Sequence, residues 1–179
     1  MRVAFSGAHR TGKTTLVNAI ADLVPSYGVI DEPYRVLEES GHEFSDPPGV
    51  EDYEQQLRTS VELISAAPAD ALLDRCPLDF VAYLQAIDDD FVIDDWLDEI
   101  REAIARLDLI VVVTIEVPDR IAVPAHEDQR LRRRVDQRLQ RLVLDDPFGF
   151  EAATLEVSGG LAERVHQVTR AMAGVPCAP

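Results

Sequence analysis

Gly7-Ala8-His9-Arg10-Thr11-Gly12-Lys13-Thr14 matches the pattern GxxxxGKT at every defined position. Before it, residues 2–6 form a short β-type run. After it, Leu16, Val17, Ile20, Leu23 and Val24 recur at helical spacing until Pro25 closes the pattern. The order is strand, glycine turn, helix. The two glycines let the backbone wrap closely around a phosphate, and successive amides and the helix N-terminus turn positive dipole ends toward it. Lys13, the one lysine in the chain, has the length to reach the outer phosphates, and the Thr14 hydroxyl is suited to hold Mg²⁺. Gly7, Ala8, His9, Arg10, Thr11, Gly12, Lys13, Thr14 and Thr15 are therefore read as a cradle for a nucleoside triphosphate with Mg²⁺.

Working outward, residues 28–31, 71–74, 109–117 and 153–157 read as four more strands. Continuous apolar runs such as 109–113 imply strands covered on both faces. Helical patterns lie between them: 50–66 (Tyr53, Leu57, Val61, Ile64), 78–87, 95–107 (Trp96, Leu97, Ile100, Ile104, Leu107), an arginine-rich stretch to Leu144, and 161–172. Strands alternating with helices of this length predict an α/β fold with a five-stranded parallel sheet and right-handed crossovers. Residues 45–49, with two prolines, are the expected mobile loop.

Length and charge narrow the function. The chain has 179 residues, enough for a single domain spanning 1–179, with 33 acids against 17 bases and a net charge of -16. The longest apolar run is far shorter than a membrane span needs, and no signal-peptide pattern opens the chain. Cys76 and Cys177 lie 101 positions apart and offer neither a metal motif nor a disulfide framework. A reducing cytoplasm and no redox chemistry are expected. An acidic body repels a phosphate backbone, so long nucleic acids are poor partners. The exception is residues 128–141, which carry six arginines and two aspartates, a local +4 that leaves -20 for the rest.

A phosphate loop does not say where the phosphoryl group goes: to water, to a hydroxyl or to another phosphate. Two segments bear on the acceptor. The second strand ends in Asp31-Glu32-Pro33-Tyr34-Arg35, which sets carboxylates at the C-terminal sheet edge, where open α/β folds bind ligands. A carboxylate there can take the proton of an attacking hydroxyl. The same residues would also suit a helix start with Pro33 in the first position. The third strand ends in Leu72-Leu73-Asp74-Arg75-Cys76-Pro77-Leu78-Asp79. Asp74 is placed to organise Mg²⁺, and Arg75 to clamp anionic charge with its planar fork, the alternative being a surface ion pair.

GAHRTGKTT, Glu32-Pro33 after the second strand, LLDRCPLDFVAYL after the third and then an arginine-rich helix resemble the thymidylate kinase and deoxynucleoside kinase group of P-loop kinases. The resemblance covers nearly the whole chain in order. It implies the strand order 2-3-1-4-5 and transfer of the ATP γ-phosphate to a nucleoside-like acceptor. It also implies Glu32 as the base toward the hydroxyl, Arg75 at the acceptor and Asp74 near the metal. It further implies a lid at about residues 119–146 whose arginines close over the transferred group. Arg130, Arg134, Arg138 and Arg141 share one helical face, so Arg130 and Arg134 are the expected catalytic pair, with Arg132 as a further candidate. Gln55 or Gln56 would read the base edge, and Tyr53 would stack on it or else belong to the core stripe with Leu57. Residues 146–150, DPFGF, would border the adenine. The resemblance also allows a homodimer.

Three alternatives stay open. A nucleoside monophosphate kinase would need Arg35 and Arg58 to hold a second phosphate, a polynucleotide 5'-kinase would need a basic groove, which the -20 outside the arginine-rich stretch argues against, and a nucleotide-sensing module would use no acceptor at all. His42, His126 and His166 show no metal-ligand spacing.

Overall fold

The computed structural model describes residues 1–119 and 128–174. Cys177, His126 and residues 120–127 of the expected lid lie outside the described residues. Five strands, β1 (Arg2–Ser6), β2 (Gly28–Ile30), β3 (Ala71–Asp74), β4 (Leu109–Val113) and β5 (Thr154–Val157), form one parallel sheet in the order β2-β3-β1-β4-β5. The fold class and strand order are those expected. β1, β3 and β4 occupy the middle of the sheet, and their runs VAFS, ALLD and LIVVV are buried throughout.

Side chains along a strand alternate between faces, so one apolar run serves two cores. Val3, Phe5, Leu72, Val111 and Val113 pack against α1 (Lys13–Ala21) and α7 (Leu161–Gly174), meeting Leu16, Val17, Ile20 and Val168. Ala4, Leu73, Ile110 and Val112 face the opposite way. They meet α3 (Val50–Ala66), α4 (Pro77–Ile87), α5 (Leu97–Ile104) and α6 (Gln129–Leu144) through Leu57, Ile64, Phe80, Leu84, Ile100, Ile104 and Leu139. Each such fully buried aliphatic or aromatic side chain contributes about 1.5–3 kcal/mol of transfer free energy, opposed by ordering entropy.

The differences from expectation lie at element ends. The fourth strand stops at Val113 instead of 117 because the backbone then turns to side-chain partners: the Ile115 amide donates to Asp136 Oδ1 at 3.0 Å, and the Thr114 hydroxyl to Glu156 at 3.1 Å. The expected helix at 95–107 is split into a 3₁₀ turn, Ile93–Trp96, and α5. A further helix, α2 (Pro33–Glu39), starts on the proline, as Pro at the first helical position favours. The proline loop at 45–49 is tied to α3 by Asp52, whose carboxylate accepts from the Ser45 hydroxyl, the Ser45 amide at 3.3 Å and the Gly49 amide at 2.9 Å.

Because the sheet is parallel, the turns after β1, β2 and β3 all emerge at one edge. The phosphate loop, Glu32 and the Asp74-Arg75 pair therefore converge there.

Candidate functional site

The loop between β1 and α1 passes through the left-handed region at Arg10 (φ 53°) and Gly12 (φ 88°). Turns of this kind aim successive amides into a concavity that binds anions. Lys13 folds back into the loop: its side chain is buried, and Nζ donates to the Ala8 carbonyl at 2.7 Å beside the Thr11 hydroxyl at 3.0 Å. Burial and the neighbouring Arg75 charge push the ammonium down to about 8, against the pull of Asp79, Asp74 and Glu32. A triphosphate would supply the counter-charge that this lysine lacks.

Gly7 is fixed by sterics, since a Cβ there would lie 2.4 Å from the Val113 carbonyl oxygen, a backbone atom of β4 that cannot rotate away. Gly7→Ala is expected to cost about 1–3 kcal/mol, as overpacking does, and to lower the thermal midpoint by about 2–4 °C per kcal/mol. An unshifted midpoint by calorimetry would contradict the close approach.

Asp74 ends β3 beneath the loop, only 5% exposed, and Oδ2 accepts from the Thr14 hydroxyl at 2.5 Å. Its other oxygen, Oδ1, is buried with no hydrogen-bond partner among the described residues. Burial pushes this carboxyl above the usual carboxylate range, against the pull of Lys13, Thr14 and Arg75. A buried acceptor left unpaired is costly, and a hard cation between it and the phosphates would satisfy it. Among the described residues no group of three or more His, Cys, Asp or Glu side chains forms a metal cage. Mg²⁺ needs none, because it takes one or two carboxylates and keeps waters and substrate phosphates as its other ligands. Thr14 and Asp74 fit it.

On the acceptor side Glu32 stands at the N-cap of α2, but its side chain does not cap the helix. It accepts from Arg75 Nε at 3.0 Å, while Asp31 is exposed. Burial pushes the Glu32 carboxyl up, but the Arg75 charge and hydrogen bond, with Lys13 and Arg35, leave it below the usual carboxylate range. It is ionised at neutral pH. Arg75 itself holds φ 89°, a strained value for a side-chain-bearing residue, and its side chain donates to Asp79 and the Gly7 carbonyl, each at 3.2 Å. The pair is inside the site, not a surface ion pair.

Two cavities meet at these residues. One, of about 280 Å³, is lined by His9, Arg10, Gly12, Lys13, Thr14 and Thr15 together with Glu32 and Arg75. The other, of about 200 Å³, is lined by Tyr34, Pro48, Tyr53, Gln56, Phe80, Tyr83 and Leu131, again with His9, Glu32 and Arg75. Glu32, Arg75 and His9 thus border both. Tyr53 and Gln56 reach this second cavity. Tyr53 is also a core residue, stacked on Tyr83 with centroids 4.7 Å apart, and Gln56 Nε2 donates to the Asp52 carbonyl at 3.1 Å.

Other expected residues fall elsewhere. Arg35 is exposed, and Arg58 lies over the Trp96 ring at 5.1 Å, both outside the second cavity's lining. On α6 the face shared by Arg130 and Arg134 is turned to solvent, with Arg134 3.3 Å from Asp89. Arg132 reaches the phosphate loop instead. It shares the buried stripe of Val135, Leu139 and Leu142, which helical geometry sets opposite the arginine face. The DPFGF segment precedes a parallel strand and so lies at the opposite sheet edge from the loop. There Arg101 donates to the Phe148 and Gly149 carbonyls at 3.2 and 3.0 Å. An open cleft at the correct edge is lined by Glu116, Ser158, Gly159, Ala162 and His166.

Asp79 was not singled out by sequence reasoning. Fully buried, it accepts from the Ser6 hydroxyl at 2.6 Å, the Gly7 and Cys76 amides at 3.0 Å each, and Arg75. Its signal was an acid at the third position of a helix opened by Pro77. Burial pushes the adjacent Cys76 thiol up to about 12, which keeps it inert.

A family model for the AAA domain matches residues 2–164, and the chain belongs to that family. No curated protein matches the sequence. Among solved structures, NadR protein in complex with NR is 22% identical with a TM-score of 0.69, the match covering 97% of this chain and 49% of that one. NadR in complex with NAD and AMP-PNP gives 23% identity, 0.69, 97% and 49%. The chain therefore spans about half the length of NadR. Deoxyadenosine kinase from M. mycoides with bound dATP is 11% identical, TM-score 0.68, covering 97% of this chain and all of that one (100%). Thymidylate kinase from Candida albicans is 15% identical, TM-score 0.64, covering 96% and 90%. The fold is that of P-loop kinases. No helix of the described residues is long and apolar enough to cross a membrane.

Proposed function

We propose that this chain is an ATP-dependent phosphotransferase that moves the γ-phosphoryl group to a hydroxyl of a nucleoside or nucleoside-like small molecule. The observation that carries the reading is the shared wall: Glu32 and Arg75 border both the phosphate cavity and the aromatic-lined cavity. A phosphoryl donor in one and an alcohol in the other would meet at a carboxylate and a guanidinium. Tyr34, Phe80 and Tyr83 offer flat apolar surfaces to a planar ring, and Gln56 offers a polar edge.

In this reading the amides of residues 10–13 and the Lys13 ammonium hold the phosphates in place. Glu32, ionised and turned to the acceptor cavity, takes the hydroxyl proton as the oxygen attacks. Arg75 aims Glu32 and offers positive charge to the group in transfer. Thr14 and Asp74 would hold Mg²⁺, which when bound neutralises charge across the outer phosphates. The names of the similar proteins support this class of reaction and of acceptor.

A monophosphate acceptor is disfavoured by a specific feature. Among the described residues Arg75 is the one arginine or lysine in the lining of the second cavity, and Glu32 and Asp79 already hold it. A second phosphate would find no unshared cation there among the described residues.

The test is a thermal-shift screen in AMP-PNP and Mg²⁺. A cognate nucleoside raises the midpoint through mass action, and its 5'-monophosphate raises it less. A shift given by monophosphates alone would reverse the choice of acceptor. The cytoplasm and an acidic surface that excludes long nucleic acids complete the proposal.

A further inference from the structure

Two arginines outside the phosphate cavity grip the back of the phosphate loop. Arg164, on α7, donates through Nη1 to the Thr11 carbonyl at 2.7 Å and through Nη2 to Glu116 at 3.0 Å, with its side chain 8% exposed. Arg132, on α6, donates through Nε to the His9 carbonyl at 3.0 Å and through Nη2 to the Arg10 carbonyl at 3.1 Å, while Nη1 pairs with Asp119. Three consecutive carbonyls are therefore held by guanidinium groups. Neither arginine is among the residues lining the phosphate cavity. Both border a separate small cavity of about 10 Å³ with Thr11, Thr114 and Glu116.

In a trans peptide the carbonyl of one residue and the amide of the next point in opposite directions. Carbonyls of His9, Arg10 and Thr11 drawn outward thus turn the amides of Arg10, Thr11 and Gly12 toward the phosphate side. We infer that Arg164 and Arg132 are positioning residues that set the phosphate-binding amides of this loop from behind. The inference rests on nucleotide binding by the loop and is independent of the acceptor.

Three features strengthen it. Arg10 sits at φ 53°, a conformation that persists only where the surroundings hold it. Among the described residues the buried Arg164 Nε has no hydrogen-bond partner, so the protein carries a desolvated donor in order to place the other two nitrogens. Both charges are matched by Glu116 and Asp119, which leaves the fork geometry as what each arginine contributes. Lysine, a point charge with one nitrogen, cannot hold two acceptors in the same way.

The experiment is calorimetric titration of the full chain with AMP-PNP and Mg²⁺, alongside thermal midpoints of the free proteins. Arg164→Gln and Arg132→Gln are expected to bind AMP-PNP at least ~10-fold more weakly, equivalent to about 1.4 kcal/mol. Their affinity loss should exceed what any change in free-protein midpoint explains, with Arg164→Lys recovering only part of it. Wild-type affinity in either folded variant overturns the inference, and so does full recovery by lysine. If Arg164→Gln fails to fold, Arg132→Gln and Glu116→Gln decide by the same criterion: weakened binding supports the inference and wild-type affinity refutes it. Wild-type protein that binds no AMP-PNP would defeat the nucleotide reading itself, a result distinct from normal binding by wild type and variants alike.

Discussion

Lys13→Ala is expected to lower phosphoryl transfer by ~10³ or more and to weaken ATP binding, with the fold retained. The lysine is buried, yet its hydrogen bond is to a carbonyl of its own loop, and burial with the Arg75 charge already holds its ammonium down to about 8. Nothing in that arrangement favours a cation except the nearby acids and the anion still to come. Phosphates entering the cavity supply the missing counter-charge, and the charge that spreads over the equatorial oxygens in transfer needs it most. Removing the ammonium leaves the cradle amides in place, so some affinity survives while the transition state loses a cation of the cavity wall. Steady-state transfer rates and AMP-PNP titrations separate the two effects. A variant with near-normal turnover would show that the loop serves another purpose.

Glu32→Gln is expected to reduce turnover by ~10² to 10⁴ while ATP affinity and thermal midpoint stay nearly unchanged. Glutamine keeps a carbonyl oxygen for Arg75 Nε, so the local hydrogen bond survives, but it cannot accept a proton. The effect should appear in kcat. A parallel rise in KM for the acceptor alone would mean that Glu32 binds the acceptor without activating it, and unchanged turnover would remove it from the mechanism.

The glycine-lysine stretch and the apolar runs made the fold readable, because a parallel sheet buried on both faces leaves uninterrupted Val, Ile and Leu. The meeting of Glu32 with Arg75 was legible for a related reason: both follow strands of a parallel sheet, and such ends share an edge. What sequence hid was set by tertiary partners. The end of β4 depends on Asp136 of a distant helix, and the role of Asp79 on four donors gathered from two segments, residues 6–7 and 75–76. Arg132 was legible in principle, since the stripe through Val135 and Leu139 marks the buried face of α6, but its composition drew attention to Arg130 and Arg134. The DPFGF segment was placed by order in the chain, whereas the direction of β5 decides which edge it joins.

The most direct test of the two-cavity account follows the phosphorus itself: wild-type protein with ATP and Mg²⁺, offered nucleosides, their monophosphates or buffer alone, and read by ³¹P NMR. The account predicts a new phosphomonoester on a nucleoside, formed in equal amount with ADP and absent when the nucleoside is omitted. Release of inorganic phosphate regardless of acceptor, or exclusive conversion of monophosphates to diphosphates, would contradict it.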